Sequence, residues 1–283
     1  MPRTSGSGCD AFRALLASTA IVRQTRLRMT LWKWQALGND YLLVEQAELP
    51  EPLSPDRVRR LCDYHYGVGS DGLLEVLATD GAHAELRIWN PDGSVAELSG
   101  NGLRIAAAWL AQRSAVEEVT VSVGTRTLAA RVREDGNVEL DVGPVEVGET
   151  ETLDIGDERV DFTPVSVGNP HAVVRREPER SELLRLGPRI ERHPRFPERT
   201  NVQLLRVDGT HDLTVGVWER GAGETLSSGS SSVSAAVAAV ANGWCESPVH
   251  VHLPGGDLLV ELDGNGHARL TGPVEEICRV ELP

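Results

Sequence analysis

The stretch that decides the fold is Glu97-Leu98-Ser99-Gly100-Asn101-Gly102, because its core returns later in the chain as Ser227-Ser228-Gly229-Ser230. In both places a serine and a glycine precede an alanine-rich run, Leu103–Leu110 in the first copy and Val233–Val240 in the second. Good helix formers dominate both runs, so each predicts a buried helix. Ser99 and Ser228 lie 129 residues apart.

Three further landmarks recur at almost the same interval. Leu37-Gly38-Asn39 returns as Val167-Gly168-Asn169 after 130 residues, Trp89-Asn90 as Trp218-Glu219 after 129, and Gly143-Pro144 as Gly272-Pro273 after 129. Four landmarks that keep their order at one interval indicate a duplicated unit.

Short β-rich runs precede each helix, and two alternating stretches separated by a glycine-containing turn follow it. The predicted strands are Leu42–Glu45, Val202–Val207, the hairpin Val119–Val123 with Leu128–Val132, and the hairpin Val249–Leu253 with Leu258–Leu262. We therefore predict an α/β (α+β) protein made of two similar domains.

The repeat also predicts domain boundaries. We expect an N-terminal domain over residues 29–143, a C-terminal domain over 144–273, and a return of 274–283 to the first domain. Residues 1–28 combine a short apolar stretch with several arginines before a fresh Met29. This pattern lacks a long apolar core and a cleavage site, so we expect a disordered extension or a misassigned start.

Composition excludes several classes of function. The net charge of −14 over 283 residues, with no basic cluster, argues against nucleic acid as a partner. No run approaches the roughly 18 apolar residues of a membrane span. The four cysteines, Cys9, Cys62, Cys245 and Cys278, are too far apart for a zinc motif or a disulfide framework. We expect a cytoplasmic protein without a metal site.

The repeated Ser-Gly motif predicts a binding site. Free N–H groups and the positive end of the helix dipole gather where a helix begins, and glycine lets a ligand approach the backbone. The two sets are Ser99, Gly100 and Asn101, and Ser228, Gly229 and Ser230. Either serine alone would be an ordinary N-cap. The repetition favours one carboxylate held between two domains.

Polar residues suited to an amino acid accompany this motif. An arginine pairs with a carboxylate, a glutamate with an amine, and amides orient both. The candidates are Asn39, Asn90, Asn169, Asn201, Glu219 and Arg220. Each asparagine alone is also compatible with a local turn. His171 is either a structural histidine or a polarising group in the site.

These motifs resemble the diaminopimelate epimerase family over essentially all of the chain from Met29 onward. The resemblance is carried by Leu37-Gly38-Asn39-Asp40, Gly67-Val68-Gly69-Ser70-Asp71-Gly72, Asn90-Pro91-Asp92-Gly93-Ser94, Gly168-Asn169-Pro170-His171, Arg195-Phe196-Pro197-Glu198-Arg199-Thr200-Asn201-Val202 and Glu219-Arg220-Gly221-Ala222-Gly223-Glu224-Thr225. It implies two pseudo-symmetric domains, each a β-sheet wrapped around a central helix, with a cleft between them.

The resemblance also implies a cytoplasmic homodimer that interconverts LL- and meso-diaminopimelate without a cofactor, in lysine and peptidoglycan biosynthesis. It implies that Asn39, Asn90, Asn169, Asn201, Glu219 and Arg220 bind the substrate. The two helix starts at Ser99 and Ser228 would hold the carboxylate of the reacting centre.

This chain departs from the family at the two catalytic positions. The family has a cysteine at each, one acting as base and one as acid, where this chain has Ser99 and Ser228. A thiol loses its proton far more readily than a hydroxyl does, and the difference is roughly 10 kcal/mol. Pyridoxal catalysis normally needs a lysine for its Schiff base, and the sole lysine is Lys33, at the start of the first strand. We therefore expect no pyridoxal cofactor.

Three hypotheses follow. The chain is an active diaminopimelate epimerase whose serines are assisted by neighbours, an isomerase of another amino acid or related acid, or an amino-acid-binding homologue with impaired or no catalysis. The third includes a decoy subunit and a double Cys-to-Ser form that traps its ligand. The retained asparagines, Glu219 and Arg220 favour diaminopimelate, whereas the loss of both thiols favours binding over turnover.

Overall fold

The computed structural model describes residues 29–282, so the expectation for residues 1–28 lies outside the described residues. The first half contains α1 (Pro55–Cys62), α2 (Gly100–Ser114) and a short 3-10 helix at Gln46–Glu48. Its strands are β1 (Met29–Ala36), β2 (Asn39–Glu45), β3 (Leu73–Asp80), β4 (His83–Trp89), β5 (Val95–Ala96), β6 (Glu118–Val123), β7 (Arg126–Val132) and β8 (Asn137–Pro144).

The second half contains α3 (Arg180–Glu191) and α4 (Gly229–Ala241). Its strands are β9 (Glu146–Val147), β10 (Glu151–Asp154), β11 (Arg159–Ser166), β12 (Pro170–Arg175), β13 (Asn201–Gly209), β14 (Asp212–Glu219), β15 (Gly223–Thr225), β16 (Val249–Leu253), β17 (Gly256–Leu262) and β18 (His267–Pro273). A final strand, β19 (Glu275–Leu282), follows.

The second half repeats the first in element order and in strand pairing. β2 lies parallel to β3 as β12 does to β13, and β4 lies parallel to β6 as β14 does to β16. The hairpin β6–β7 corresponds to β16–β17. The predicted α/β architecture of two pseudo-symmetric copies is therefore confirmed.

Each half is built around one enclosed helix. Side chains on all faces of α2 are buried from Leu103 to Ala111, and those of α4 are buried from Val233 to Ala239. A helix that is apolar all round must be covered on every side. In the first half Trp109 of α2 packs edge-on against Trp32 of β1, with ring centroids 6.0 Å apart.

The two halves share one sheet. β8 pairs antiparallel with β18, with Leu140 opposite Leu270, and β19 pairs antiparallel with β1 of the first half. The β6–β7 hairpin reaches the second half as well, where Nη1 of Arg126 donates to the carbonyl of Val167 at 2.8 Å. These contacts join the two halves through their strands.

The turn between β1 and β2 places the first asparagine of the site. Leu37 and Gly38 have φ values of +54° and +81°, as a two-residue hairpin turn requires. Gly38 lies close to Leu226, because a side chain built there would meet the Leu226 Cδ1 at 3.1 Å. Asn39 therefore begins β2 at the boundary between the halves.

Candidate active site

Ser99 caps the N-terminus of α2. Its backbone is extended, and its Oγ accepts from the backbone N–H of Gly102 at 3.0 Å. The same oxygen lies 2.9 Å from the hydroxyl of Tyr41 on β2. Burial, opposed by the hydrogen bond with Ser99, holds the pKa of Tyr41 well above its ordinary value of 10.0. Tyr41 is therefore a hydrogen-bond partner of Ser99 and not its base.

Ser228 caps α4 in the same extended backbone conformation, but its hydroxyl makes no capping hydrogen bond. Its neighbour is Glu219, at the end of β14. Burial raises the pKa of Glu219 above 4.5, while the nearby hydroxyls of Thr225 and Ser228 act in the opposite direction. The two serines thus have different surroundings, a phenol beside Ser99 and a carboxyl group beside Ser228.

The N-termini of α2 and α4 abut across the boundary between the halves. A side chain built at Gly100 would meet the Cα of Gly229 at 3.0 Å, so only glycine allows this approach. Two positive helix ends, each with the backbone N–H groups of its first turn, therefore converge. This is an arrangement suited to a carboxylate.

Asn39 and Asn101 lie together beside this meeting point. The Nδ2 of Asn101 donates to the Oδ1 of Asn39 at 3.1 Å and to the Oγ of Ser227 at 3.1 Å. The Nδ2 of Asn39 donates to Asp71 at 3.1 Å. The side chain of Asn101 is buried and bonded within the protein, so its contact with a substrate stays a prediction.

The remaining asparagines differ in how their side chains are used. The amide of Asn90 closes its own turn by donating to the Oγ of Ser94 at 2.9 Å. Asn201, at the start of β13, donates to the carbonyl of Pro170 and accepts from the backbone N–H of Arg220 at 2.9 Å. Asn201 thereby positions Arg220, and substrate contact by Asn90 and Asn201 stays a prediction.

His171 is buried, and each of its ring nitrogens has a hydrogen-bond partner. Nδ1 lies 3.0 Å from the amide nitrogen of Gln203, and Nε2 lies 3.0 Å from the Oδ1 of Asn169. Burial lowers the pKa of His171 to about 3, so the ring is neutral. With Gln203 donating to Nδ1, the Nε2 proton is directed at Asn169. This geometry favours a role in orienting Asn169 over a polarising role.

Arg220 connects the halves. Its Nη2 donates to the Oε2 of Glu97 at 3.1 Å, and its Nη1 reaches the carbonyl of Glu198 at 3.4 Å. Its side chain is 26% exposed, against 69% for Glu97. A partly exposed guanidinium whose partner is an exposed carboxylate is available to a ligand carboxylate.

Sequence reasoning missed several supporting residues, namely Tyr41, Asp71, Glu97, Arg104, Gln203 and Ser227. Arg104 carried a visible signal, since it is a charge inside the apolar run of α2. Glu97 stands two residues before Ser99, within the quoted motif. Asp71 and Ser227 also stand within quoted motifs. Tyr41 and Gln203 are distant in sequence from the groups they touch, and no local pattern predicts such contacts.

Solved structures share this fold. A predicted epimerase from Pseudomonas aeruginosa superposes with a TM-score of 0.68 at 20% identity, covering 90% of this chain and 99% of that one. A hydroxyproline epimerase from Agrobacterium vitis gives 0.65 at 16% identity, covering 91% and 93%. The fold is thus one that epimerases use.

The sequence comparisons then specify the family. The family model for diaminopimelate epimerase matches residues 31–148 and 163–277. Diaminopimelate epimerase 2 of Nostoc sp. is 39% identical over 272 residues, covering 90% of this chain and 95% of the relative. The diaminopimelate epimerase of Desulfitobacterium hafniense is 40% identical over 276 residues, covering 89% and 97%. The chain belongs to the diaminopimelate epimerase family and is an isomerase of that family, as the resemblance implied.

Within residues 29–282 no helix is both long enough and apolar enough to span a membrane.

Proposed function

We propose that the chain interconverts LL- and meso-diaminopimelate by moving the proton on one α-carbon, without a cofactor. The observation that carries this proposal is the meeting of two helix N-termini, each capped by a serine, at Gly100 and Gly229. A carboxylate bound there has a hydroxyl beside each helix end. The names of the relatives support diaminopimelate as the substrate.

The rest of the cleft is suited to the distant end of the same substrate. Arg220 would exchange Glu97 for the second carboxylate, and Asn39 and Asn169 would orient it. Glu219, which lies beside Ser228, would instead pair with the ammonium group next to the reacting carboxylate. We also propose the domain division 29–143 and 144–273, with 274–283 completing the first domain, and a cytoplasmic homodimer.

Proton transfer by serine is the demanding step. One hydroxyl must take the α-proton while the other returns a proton to the opposite face, and a hydroxyl resists ionisation by roughly 10 kcal/mol more than a thiol does. Two helix dipoles recover at most about 2 kcal/mol each. Glu219 is the group placed to assist Ser228 as a general base.

A second candidate is binding of diaminopimelate without turnover. It is favoured by the surroundings of Ser99, whose hydroxyl is engaged by Gly102 and Tyr41 and has no base among these partners. A third candidate is isomerisation of another amino acid with a more acidic α-proton, which a serine pair would handle more readily.

The test is deuterium incorporation from D2O at the α-carbon of LL- and meso-diaminopimelate, followed by mass spectrometry. Wild type is compared with the double variant Ser99→Cys/Ser228→Cys, and calorimetry records binding by both. Exchange by wild type supports the epimerase. Binding without exchange, with exchange restored in the double variant, supports the binding protein. Absence of binding by both forms contradicts diaminopimelate as the ligand.

A further inference from the structure

Arg104 is a buried charge that needs an explanation. It lies on α2, five residues after Ser99, and its side chain is fully buried. Burial lowers its pKa to about 10, so it is still protonated at neutral pH. Within residues 29–282 no carboxylate forms a salt bridge with it, and its Nε has no hydrogen-bond partner. Burial of an unpaired charge is costly, so this arrangement is expected to serve the site.

The guanidinium starts a chain of hydrogen bonds that ends on a carboxylate. Nη2 of Arg104 donates to the Oδ1 of Asn101 at 2.8 Å. The Nδ2 of Asn101 donates to the Oδ1 of Asn39 at 3.1 Å, and the Nδ2 of Asn39 donates to the Oδ2 of Asp71 at 3.1 Å. The positive charge of Arg104 is thus linked to the negative charge of Asp71 through two neutral amides.

The two ends of this chain fix its direction. A guanidinium is a donor only, and an ionised carboxylate is an acceptor only. Asn101 must therefore present its oxygen to Arg104 and its nitrogen to Asn39. Asn39 must then present its oxygen to Asn101 and one N–H to Asp71. A second N–H of Asn39 is left for a ligand, while its oxygen is covered.

We propose that Arg104 is a positioning residue that, through Asn101, fixes Asn39 as a hydrogen-bond donor for a carboxylate oxygen of the ligand. The choice of diaminopimelate as that ligand rests on the function proposed above. Arg104 touches no substrate in this scheme, and it determines which atom of Asn39 the substrate meets. An amine on the ligand would have to be recognised elsewhere, as at Glu219.

A purely structural role makes a different prediction. Asn101 also donates to Ser227 of the second half, so this series of hydrogen bonds joins the two halves. Its loss would lower the stability of the protein whether Arg104 has a positioning role or a purely structural one. Stability alone therefore does not discriminate. The orientation of the Asn39 amide does, because a structural bridge has no reason to fix it.

The first measurement is NMR of side-chain amides in protein labelled with 15N-asparagine, with Asn39→Asp used to assign the Asn39 signals. We expect Arg104→Met to speed solvent exchange of the Asn39 amide protons at least about tenfold, as loss of the charged hydrogen bond allows. Arg104→Lys keeps a cationic donor and should retain part of the protection. Arg113→Met, on the same helix but paired with Glu45, is the matched control and should change nothing at Asn39.

The variant Asn101→Asp covers the case in which Arg104→Met fails to fold. The new carboxylate accepts from Arg104 and cannot donate to Asn39, so the Asn39 oxygen loses its donor while Asp71 still accepts from the Asn39 N–H. The Asn39 amide protons should then exchange faster with solvent, and their NMR signals should shift. Diaminopimelate affinity, measured by calorimetry, should fall at least about tenfold in Arg104→Met and in Asn101→Asp.

The outcomes separate the two proposals. Unchanged Asn39 exchange and unchanged affinity in the folded variants would overturn the positioning role. A lower stability in Arg104→Met without any change at Asn39 would equally overturn it in favour of a structural bridge. If wild type fails to bind diaminopimelate while Asn39 responds as expected, the substrate proposal fails and the positioning role stands.

Discussion

The guanidinium of Arg220 in the second half donates to the carboxylate of Glu97 in the first, with 3.1 Å between Nη2 and Oε2. Glu97 is 69% exposed and returns to water at low cost. Arg220 has other contacts, because its Nη1 reaches the carbonyl of Glu198 and its backbone N–H donates to the Oδ1 of Asn201. An ion pair of this kind is worth at most about 1 kcal/mol. A ligand carboxylate can therefore replace Glu97.

The first prediction concerns this exchange of partners. Glu97→Gln removes the competing charge and should tighten diaminopimelate binding about two- to fivefold, whereas Arg220→Met should weaken it at least about tenfold. Calorimetry at low ionic strength measures both effects. Glu198→Gln is the matched control, because only its backbone carbonyl contacts Arg220. Weaker binding in Glu97→Gln would show instead that Glu97 contacts the ligand.

The second prediction uses the difference between the two serine positions. A thiol in Ser99→Cys faces the N–H groups of α2, which should lower its pKa below about 8.5. A thiol in Ser228→Cys lies beside Glu219, whose negative charge should raise its pKa. Iodoacetamide alkylation at pH 7 should therefore be faster in Ser99→Cys.

The pH dependence of alkylation between about pH 6 and 10 gives both pKa values. Cys278 is exposed and Cys9 lies outside the described residues, so both variants are made in a Cys9→Ser/Cys278→Ser background. Adding Glu219→Gln to the Ser228→Cys variant should bring its pKa down. Equal rates, unaffected by Glu219→Gln, would contradict the assignment of Glu219 as the neighbour of Ser228.

The sequence was sufficient for the fold and for the two helix starts. The interval between Ser99 and Ser228 identified the repeat, and apolar residues on every face of the two following runs identified enclosed helices. It was not sufficient for the roles of the asparagines. The side-chain oxygen of Asn101 accepts from Arg104, and that of Asn201 accepts from the backbone of Arg220, so both side chains bond within the protein. These contacts depend on tertiary packing and leave no periodic pattern in the sequence.

The third prediction concerns acid stability. The pKa of His171 is about 3 in the folded chain against an ordinary 6.5, so below pH 6.5 the unfolded chain takes up a proton that the folded chain refuses. Stability from this residue is therefore complete above pH 6.5 and is lost as the pH falls toward 3.

Between pH 7 and 4 the loss should amount to roughly 3 kcal/mol, measurable by urea unfolding. In His171→Gln this part of the pH dependence should be absent, even though the variant is less stable at pH 7. His65→Gln removes an exposed ring and should keep the wild-type pH profile. The same steep acid dependence in His171→Gln would show that other groups cause it.

The last prediction tests the contact between the two helix starts. In Gly229→Ala the new methyl group would lie 2.8 Å from Leu270 Cδ2, 3.1 Å from Gly100 Cα and 3.2 Å from an Arg104 nitrogen. Alanine favours a helix by about 1 kcal/mol relative to glycine, but this gain is opposed by overpacking of about 1–3 kcal/mol. The net effect should be lower stability and weaker diaminopimelate binding, because α2 and α4 are pushed apart where the carboxylate would bind.

Gly264→Ala adds the same methyl group where no atom lies within 4 Å and should leave both properties unchanged. Urea unfolding and calorimetry on the two variants measure these effects, and a Gly229→Ala protein with wild-type affinity would place the carboxylate away from the paired helix ends.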